Sequence, residues 1–173
     1  MGTARDLGLL MLRLGVGASC FSHGAQKLFG WFGGGGIEET AETMSAMGLD
    51  PGERNARLSG VLETGGGALL MLGLATGPVG AGLTGNMIVA SSIHAPNGFF
   101  NTSGGYELPV TYALVGTTLA LTGPGRYSVD QLTGGALNRP WMRVLAVIGA
   151  LVSAAYLIAT RTTVADESDD NED

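Results

Sequence analysis

From Thr64 to Tyr106 the chain carries no Asp, Glu, Lys or Arg, and from Leu108 to Gly125 it again carries none. Only Glu107 separates these two stretches. A soluble domain needs charged side chains on the surface it shows to water, and about 25% of residues in ordinary soluble proteins are charged. Here the figure is 14% of 173 residues. In hydrocarbon every backbone polar group must be satisfied within the protein, which leaves helices or a closed barrel. The apolar segments run to roughly 15–23 residues, too long and too few for barrel strands. The expectation is an all-α integral membrane helical bundle.

Five spans follow from the apolar runs: Leu7–Phe29, Arg57–Thr76, Val79–His94, Glu107–Leu121 and Trp141–Thr160. About 20 residues cross a bilayer core, so the fourth is short and places Tyr106 and Glu107 near an interface. The first could be mistaken for a signal peptide, but its apolar run meets no small-x-small cleavage pattern and is expected to be retained as a helix. Between the first two spans, Gly33 to Gly36 cannot be a stable helix interior. Ile37, Ala41 and Met44 then recur at helical spacing and predict a short amphipathic helix over Glu38–Gly48. Residues 126–140 are expected to be a polar connection. Trp31, Phe32, Phe99 and Phe100 suit interface anchoring, and Arg143 is expected to snorkel from the last span.

The net charge of −6 is mostly a property of the C-terminus, where six acids and one arginine lie between Arg161 and Asp173. No basic patch or stripe marks a nucleic-acid partner. Cys20 is the only cysteine, which excludes an internal disulfide and a CxxC redox pair. Haem, flavin and nucleotide motifs are absent: there is no C-x-x-C-H and no Walker loop, and Gly15-Val-Gly17 lies inside an apolar run.

Alternating span direction puts the end of span one, the start of two, the end of three and the start of four on one membrane side. His23 and Lys27, Glu63, Asn86 and His94, Asn97, Tyr106 and Glu107 fall at or near these places. Glu63 lies six residues inside Arg57, about 9 Å deep by helical rise, and a charge at that depth needs a partner or a cavity. These residues predict a polar pocket near one face, roofed by the glycine-rich loop and the Pro96–Gly105 loop. Such a pocket can meet a quinone head group or carry protons. His23, Glu63, His94 and Glu107 are also chemically adequate metal ligands. The competing reading is that Glu63 pairs with His23 or Lys27 only to join helices, and that Asn86 makes a helix–helix hydrogen bond.

The run His23-Gly-Ala-Gln-Lys27-Leu-Phe-Gly-Trp31-Phe-Gly-Gly resembles the hallmark of the DoxX family. So do Gly60-x-x-Glu63-x-x-Gly66-Gly67, His94-x-x-Asn97-Gly98-Phe99, Gly104-Gly-Tyr106-Glu107 and Gly123-Pro-Gly-Arg126-Tyr-Ser128-x-Asp130. The resemblance implies a four-helix membrane core over residues 1–130; the chain departs from the family pattern by adding residues 131–160, expected to be a connection and a further transmembrane helix, and residues 161–173, expected to be an acidic, disordered tail. It also implies membrane-bound oxidoreduction. Family members resemble the small subunit of a thiosulfate:quinone oxidoreductase, or accompany a membrane complex of superoxide dismutase and a sulfurtransferase. The expected partners are therefore membrane lipid, quinone, and protein subunits or further copies of the chain. The expected role is a subunit of a quinone-linked oxidoreductase rather than a self-sufficient enzyme. A structural or assembly subunit and a small transporter or proton-conducting protein are the alternatives. Counting Lys and Arg by side is nearly balanced, and the expected orientation, following the family, is N-terminus in the cytoplasm and tail outside.

Overall fold

The computed structural model describes residues 2–161, and these form helices with no strand among them. Helix α1 spans Thr3–Phe29, α2 Gly36–Ala46, α3 Gly52–Leu72, α4 Thr76–His94 and α5 Glu107–Thr122. A single turn of helix, α6, spans Val129–Leu132, and α7 spans Pro140–Ala159. The five expected spans are all present as helices. The expected disordered tail lies outside the described residues.

Local chemistry sets the boundaries. Gly30 ends α1 at φ 68°, a left-handed conformation open to glycine at no steric cost. Gly73 ends α3 in the same way, with its N–H on the Leu70 carbonyl and the Leu74 N–H on the Leu69 carbonyl, the pairing of a Schellman cap. Helix α3 begins five residues before the expected Arg57, because Pro51 occupies its N-cap and leaves Gly52 as the first helical residue. Pro140 opens α7, at the helical position where a missing N–H costs nothing.

Helices α1 and α3 pack as one pair and α4 and α5 as another, and α3 joins the two through α4. Small residues let the backbones close up. A Cβ at Gly17 would stand 2.7 Å from the Gly67 carbonyl, and one at Gly116 2.7 Å from that of Gly80. Helix α2 lies on α3 and α1, and α7 runs along α4. The core is correspondingly lean, built from Leu9, Cys20, Leu70, Leu83, Met87, Ala113 and Leu119.

The 126–140 connection is more structured than a polar linker. It carries α6 and closes over the end of the bundle where α1 begins. Asp130 accepts from the N–H groups of Ala75 and Thr76 at 2.8 and 3.0 Å, and its own N–H donates to the Gly73 carbonyl at 2.9 Å. Arg13, fully buried, donates to the carbonyls of Leu70 and Tyr127. Asp6 accepts from the Arg126 N–H at 3.2 Å. Arg143 Nε donates to Asn138 Oδ1 at 2.9 Å in the connection just before α7, and that oxygen also accepts from the Gly77 N–H. Asp6, Arg13 and Asp130 are therefore buried at the end opposite the one where the sequence gathers its polar residues. The reason is that α3 and α4 meet in a tight turn whose unpaired backbone groups must be satisfied.

Among the described residues, one helix, Pro140–Ala159, is long and apolar enough to cross a membrane by length and composition, with mean hydropathy 2.0. Only Ala154 of that helix is buried.

Candidate functional site

The center of the site is Glu63, 2% exposed. It sits near the middle of the 21-residue α3, about 15 Å from either end by helical rise. It is thus deeper than the distance from Arg57 implied, because the helix starts earlier. Glu63 Oε1 accepts from Lys27 Nζ at 2.6 Å and from Asn86 Nδ2 at 2.9 Å, with the Ser59 hydroxyl at 3.4 Å. Lys27 Nζ also donates to Ser59 Oγ at 3.1 Å. Three helices meet in this one carboxylate: α1 through Lys27, α3 through Glu63 and Ser59, and α4 through Asn86.

Packing makes the convergence possible. A Cβ at Gly24 would stand 2.7 Å from the Gly60 carbonyl, so α1 and α3 run close together one turn from Lys27 and Glu63. Ser59 and Glu63 are four apart and share a face of α3. Both charges of the pair are thereby compensated, and the group as a whole carries no net charge. That is the condition under which ionised side chains are tolerated away from water.

Beside this group lies a cavity of about 570 Å³, within the range of roughly 300–1,000 Å³ usual for small-molecule pockets. Its polar lining includes Lys27, Ser59, Glu63, Asn86 and His94. The rest is mainly apolar and comes from α2, α3, α4 and α7, including Met44, Leu58, Leu62, Val89 and Leu157. The expected roof was the glycine-rich loop and the Pro96–Gly105 loop. The structure instead puts α2 over one end and α7 along one side. Helix α7 is a wall of the site rather than an appendage. Its lining positions Ala146, Gly149, Ala150, Ser153 and Leu157 recur at helical spacing, a pattern visible in the sequence but without meaning until the helix is docked.

The other sequence-expected residues are distributed differently. His23 is exposed and does not reach Glu63. It faces Tyr112 of α5, ring centroids 6.5 Å apart, beside a 2.5 Å hydrogen bond between Ser19 Oγ and Tyr112 Oη. His94 lines the cavity, but its Nδ1 is 2.8 Å from the Gly104 carbonyl. Asn97 Nδ2 donates to the same carbonyl at 3.2 Å. Glu107 Oε2 accepts from the Asn101 N–H at 3.0 Å, and Tyr106 packs edge-on against Phe99. Asn97, Tyr106 and Glu107 therefore order the loop between α4 and α5. His23, Glu63, His94 and Glu107 do not converge, and among the described residues no three His, Cys, Asp or Glu side chains are grouped to hold a metal ion. Ser59 and the α2 and α7 lining were not expected from the sequence. The i, i+4 spacing of Ser59 and Glu63 was the available signal for the first.

No curated protein and no solved structure matches the chain. The DoxX family model matches residues 8–95, about half of the chain, from the first helix through the end of α4, and so includes Lys27, Glu63, Asn86 and His94. On that match the chain belongs to the DoxX family.

Proposed function

We propose that the chain is a multi-pass membrane subunit of a redox system, and that its cavity binds a quinone. The observation that carries this reading is the charge-compensated Lys27–Glu63–Asn86 group, with Glu63 buried at its centre, opening onto a mainly apolar cavity of about 570 Å³. Hydrogen-bonding groups gathered at one place within apolar walls suit a ligand with a polar head and a hydrocarbon body. In this reading the redox chemistry belongs to the ligand and to a partner subunit.

The surface supports immersion in lipid. Met11, Leu121 and Val152 are 73%, 74% and 63% exposed on α1, α5 and α7, and soluble monomers seldom show apolar area so extensively. A core helix of a soluble protein would be mostly buried, whereas α7 is 6% buried over its most apolar window. Its 20 residues span about 30 Å, the thickness of a bilayer core. Exposed aromatics stand at both ends of the bundle, Trp31, Phe32, Phe99 and Phe100 at one and Tyr127 and Trp141 at the other, as an interfacial belt requires. Helices α1 and α3 carry their charges inward or at their ends, and this lowers their hydropathy without making their outer faces polar.

A second reading, a structural or assembly subunit, draws on the fact that the Glu63 carboxylate ties three helices together. Two measurements separate them. Membranes from expressing cells are washed with alkaline carbonate, and the detergent-purified chain is extracted and analysed for quinones by mass spectrometry. The quinone reading expects retention in the membrane and near-stoichiometric quinone, reduced at least fivefold in Lys27→Met. Release by carbonate would overturn membrane immersion. Retention without quinone, with loss of copurifying subunits in Lys27→Met, would establish the assembly role instead.

A further inference from the structure

We infer that the cavity is a side-opening groove, held open by Gly82 and Gly149, that admits from the bilayer a single-chain lipophile with an uncharged polar head. This rests on the reading above that the bundle lies in lipid, and it specifies how the same site is reached and what it excludes.

The mouth is on the flank of the bundle. Helices α3 and α7 each pack along α4 and leave a gap between them. The rims of that gap are exposed: Leu58 and Leu62 of α3 are 55% and 44% exposed, and Gly149 and Ser153 of α7 are exposed as well. All four line the cavity. Met44 of α2 and Met47, just past its end, lie at one end of it, between the groove and the aqueous side. A ligand dissolved in hydrocarbon meets the open flank directly, whereas one in water meets α2.

Two glycines on the groove have no packing reason to be glycine. A Cβ at Gly149 would touch nothing within 4 Å, and one at Gly82 only Leu62 Cδ2 at 3.8 Å. Their neighbours differ: Cβ atoms at Gly80 and Gly85 would stand 2.6 and 2.8 Å from the carbonyls of Gly116 and Ala150. Glycine weakens a helix wherever it occurs, so Gly82 and Gly149 lower the stability of α4 and α7 without tightening a contact. What they leave is space inside the groove. Openness alone is not the signature, since Gly15 and Gly65 also meet nothing, but neither of those lines the cavity.

Shape and charge choose the occupant. The lining runs from Pro78 to His94 along α4, about 24 Å by helical rise, which suits a head with one extended chain. The polar group at mid-height is a compensated Lys27–Glu63 pair. A charged head would arrive there without a counter-charge of its own, deep in a low-dielectric bundle. A phospholipid has two chains and a charged head and is disfavoured on both counts.

The test uses the full chain. Binding of decylubiquinone, a single-chain lipophile with an uncharged head, is measured by titration in detergent for wild type, Gly149→Trp, Gly82→Leu and the control Gly15→Leu, with lysophosphatidylglycerol as an anionic single-chain competitor. In parallel, a nitroxide on Ser153→Cys, in a Cys20→Ala background, is read in liposomes for collision with oxygen and with a water-soluble nickel complex. The inference expects at least a tenfold loss of decylubiquinone affinity in Gly149→Trp and Gly82→Leu, none in Gly15→Leu, and no competition by lysophosphatidylglycerol. The nitroxide should collide with oxygen and be shielded from nickel. Wild-type binding that Gly149→Trp leaves unchanged would overturn the groove while leaving the quinone reading intact. Preferential nickel collision would overturn access from the bilayer. No wild-type binding of decylubiquinone, with the nitroxide still in lipid, would remove the quinone reading and this occupant, leaving only the geometry of the mouth.

Discussion

Glu63 and Lys27 offset each other's charge inside the bundle, and Asn86 adds a hydrogen bond to the carboxylate. Removing one leaves a charge that the structure cannot solvate, which for buried pairs costs about 3–5 kcal/mol. Lys27 keeps 28% of its side chain accessible, so Glu63→Ala is expected at the lower end, about 3 kcal/mol, in denaturant unfolding followed in detergent. The double variant Lys27→Met/Glu63→Leu should recover to within about 1 kcal/mol of wild type, since replacing both charges with apolar groups removes the penalty. A double variant as unstable as the single would show that the pair contributes packing rather than charge compensation. At the other end, Asp130 is 1% exposed and holds two backbone N–H groups that open α4. One belongs to Ala75, which sits at φ 51°, a region that alanine adopts at a cost. Asp130→Ala is expected to lose about 2 kcal/mol, by analogy with buried groups left unpaired. Asp130→Asn, which retains one acceptor oxygen, should lose about half of that in the same unfolding assay.

Helix pairing depends on which glycines face a neighbour, and the structure separates glycines that look alike in the chain. Gly80 and Gly116 stand against each other's carbonyls, so a side chain at either must push α4 from α5. Gly116→Val is expected to destabilise by about 1–3 kcal/mol, as overpacking does. Gly65 faces open space on α3, and Gly65→Ala should stabilise by up to about 1 kcal/mol through helix propensity alone. Thermal melts of the two variants by circular dichroism, side by side, check the distinction, and shifts of equal sign would refute it. The helices themselves were legible in the sequence, because long apolar runs bounded by Gly and Pro permit few other structures. Their starts were less so: α3 includes Gly52 to Ala56, a polar turn that hydropathy places outside the span but that Pro51 and the Asn55 side-chain bond to the Leu49 carbonyl draw into the helix.

Taken whole, the described residues form five long helices, and that odd number puts the start of the first and the end of the last at opposite ends of the bundle. If the bundle spans a membrane with the N-terminus in the cytoplasm, Leu132, 86% exposed, is on the cytoplasmic side and Phe100, 66% exposed, on the outer side. A membrane-impermeant maleimide should then label Phe100→Cys in right-side-out vesicles and Leu132→Cys in inverted ones. Cys20, buried at 2% exposure, should stay unlabelled in both. The opposite pattern would reverse the orientation, and labelling of both positions from one side would rule out an odd number of crossings.

The membership of these residues in helices, and the placing of Lys27, Glu63 and Asn86 toward the same region, follow from the chain by itself. Apolar length, breaker residues and alternating direction are local or nearly local properties. Rotation of each helix about its axis is not local, and it decided which polar groups met. Rotation turns one face of α1 toward the bundle and height along the axis then separates its residues: Lys27 reaches Glu63, while His23, one turn earlier on the same side, lies beside Tyr112. Asp6 and Arg13 meet the segment from Arg126 to Asp130 across more than a hundred residues of chain. No pattern within either segment announces that closure. The same holds for the cavity: α7 reads in isolation as one more apolar span, and only its docking on α4, a gap's width from α3, makes it the wall of a site.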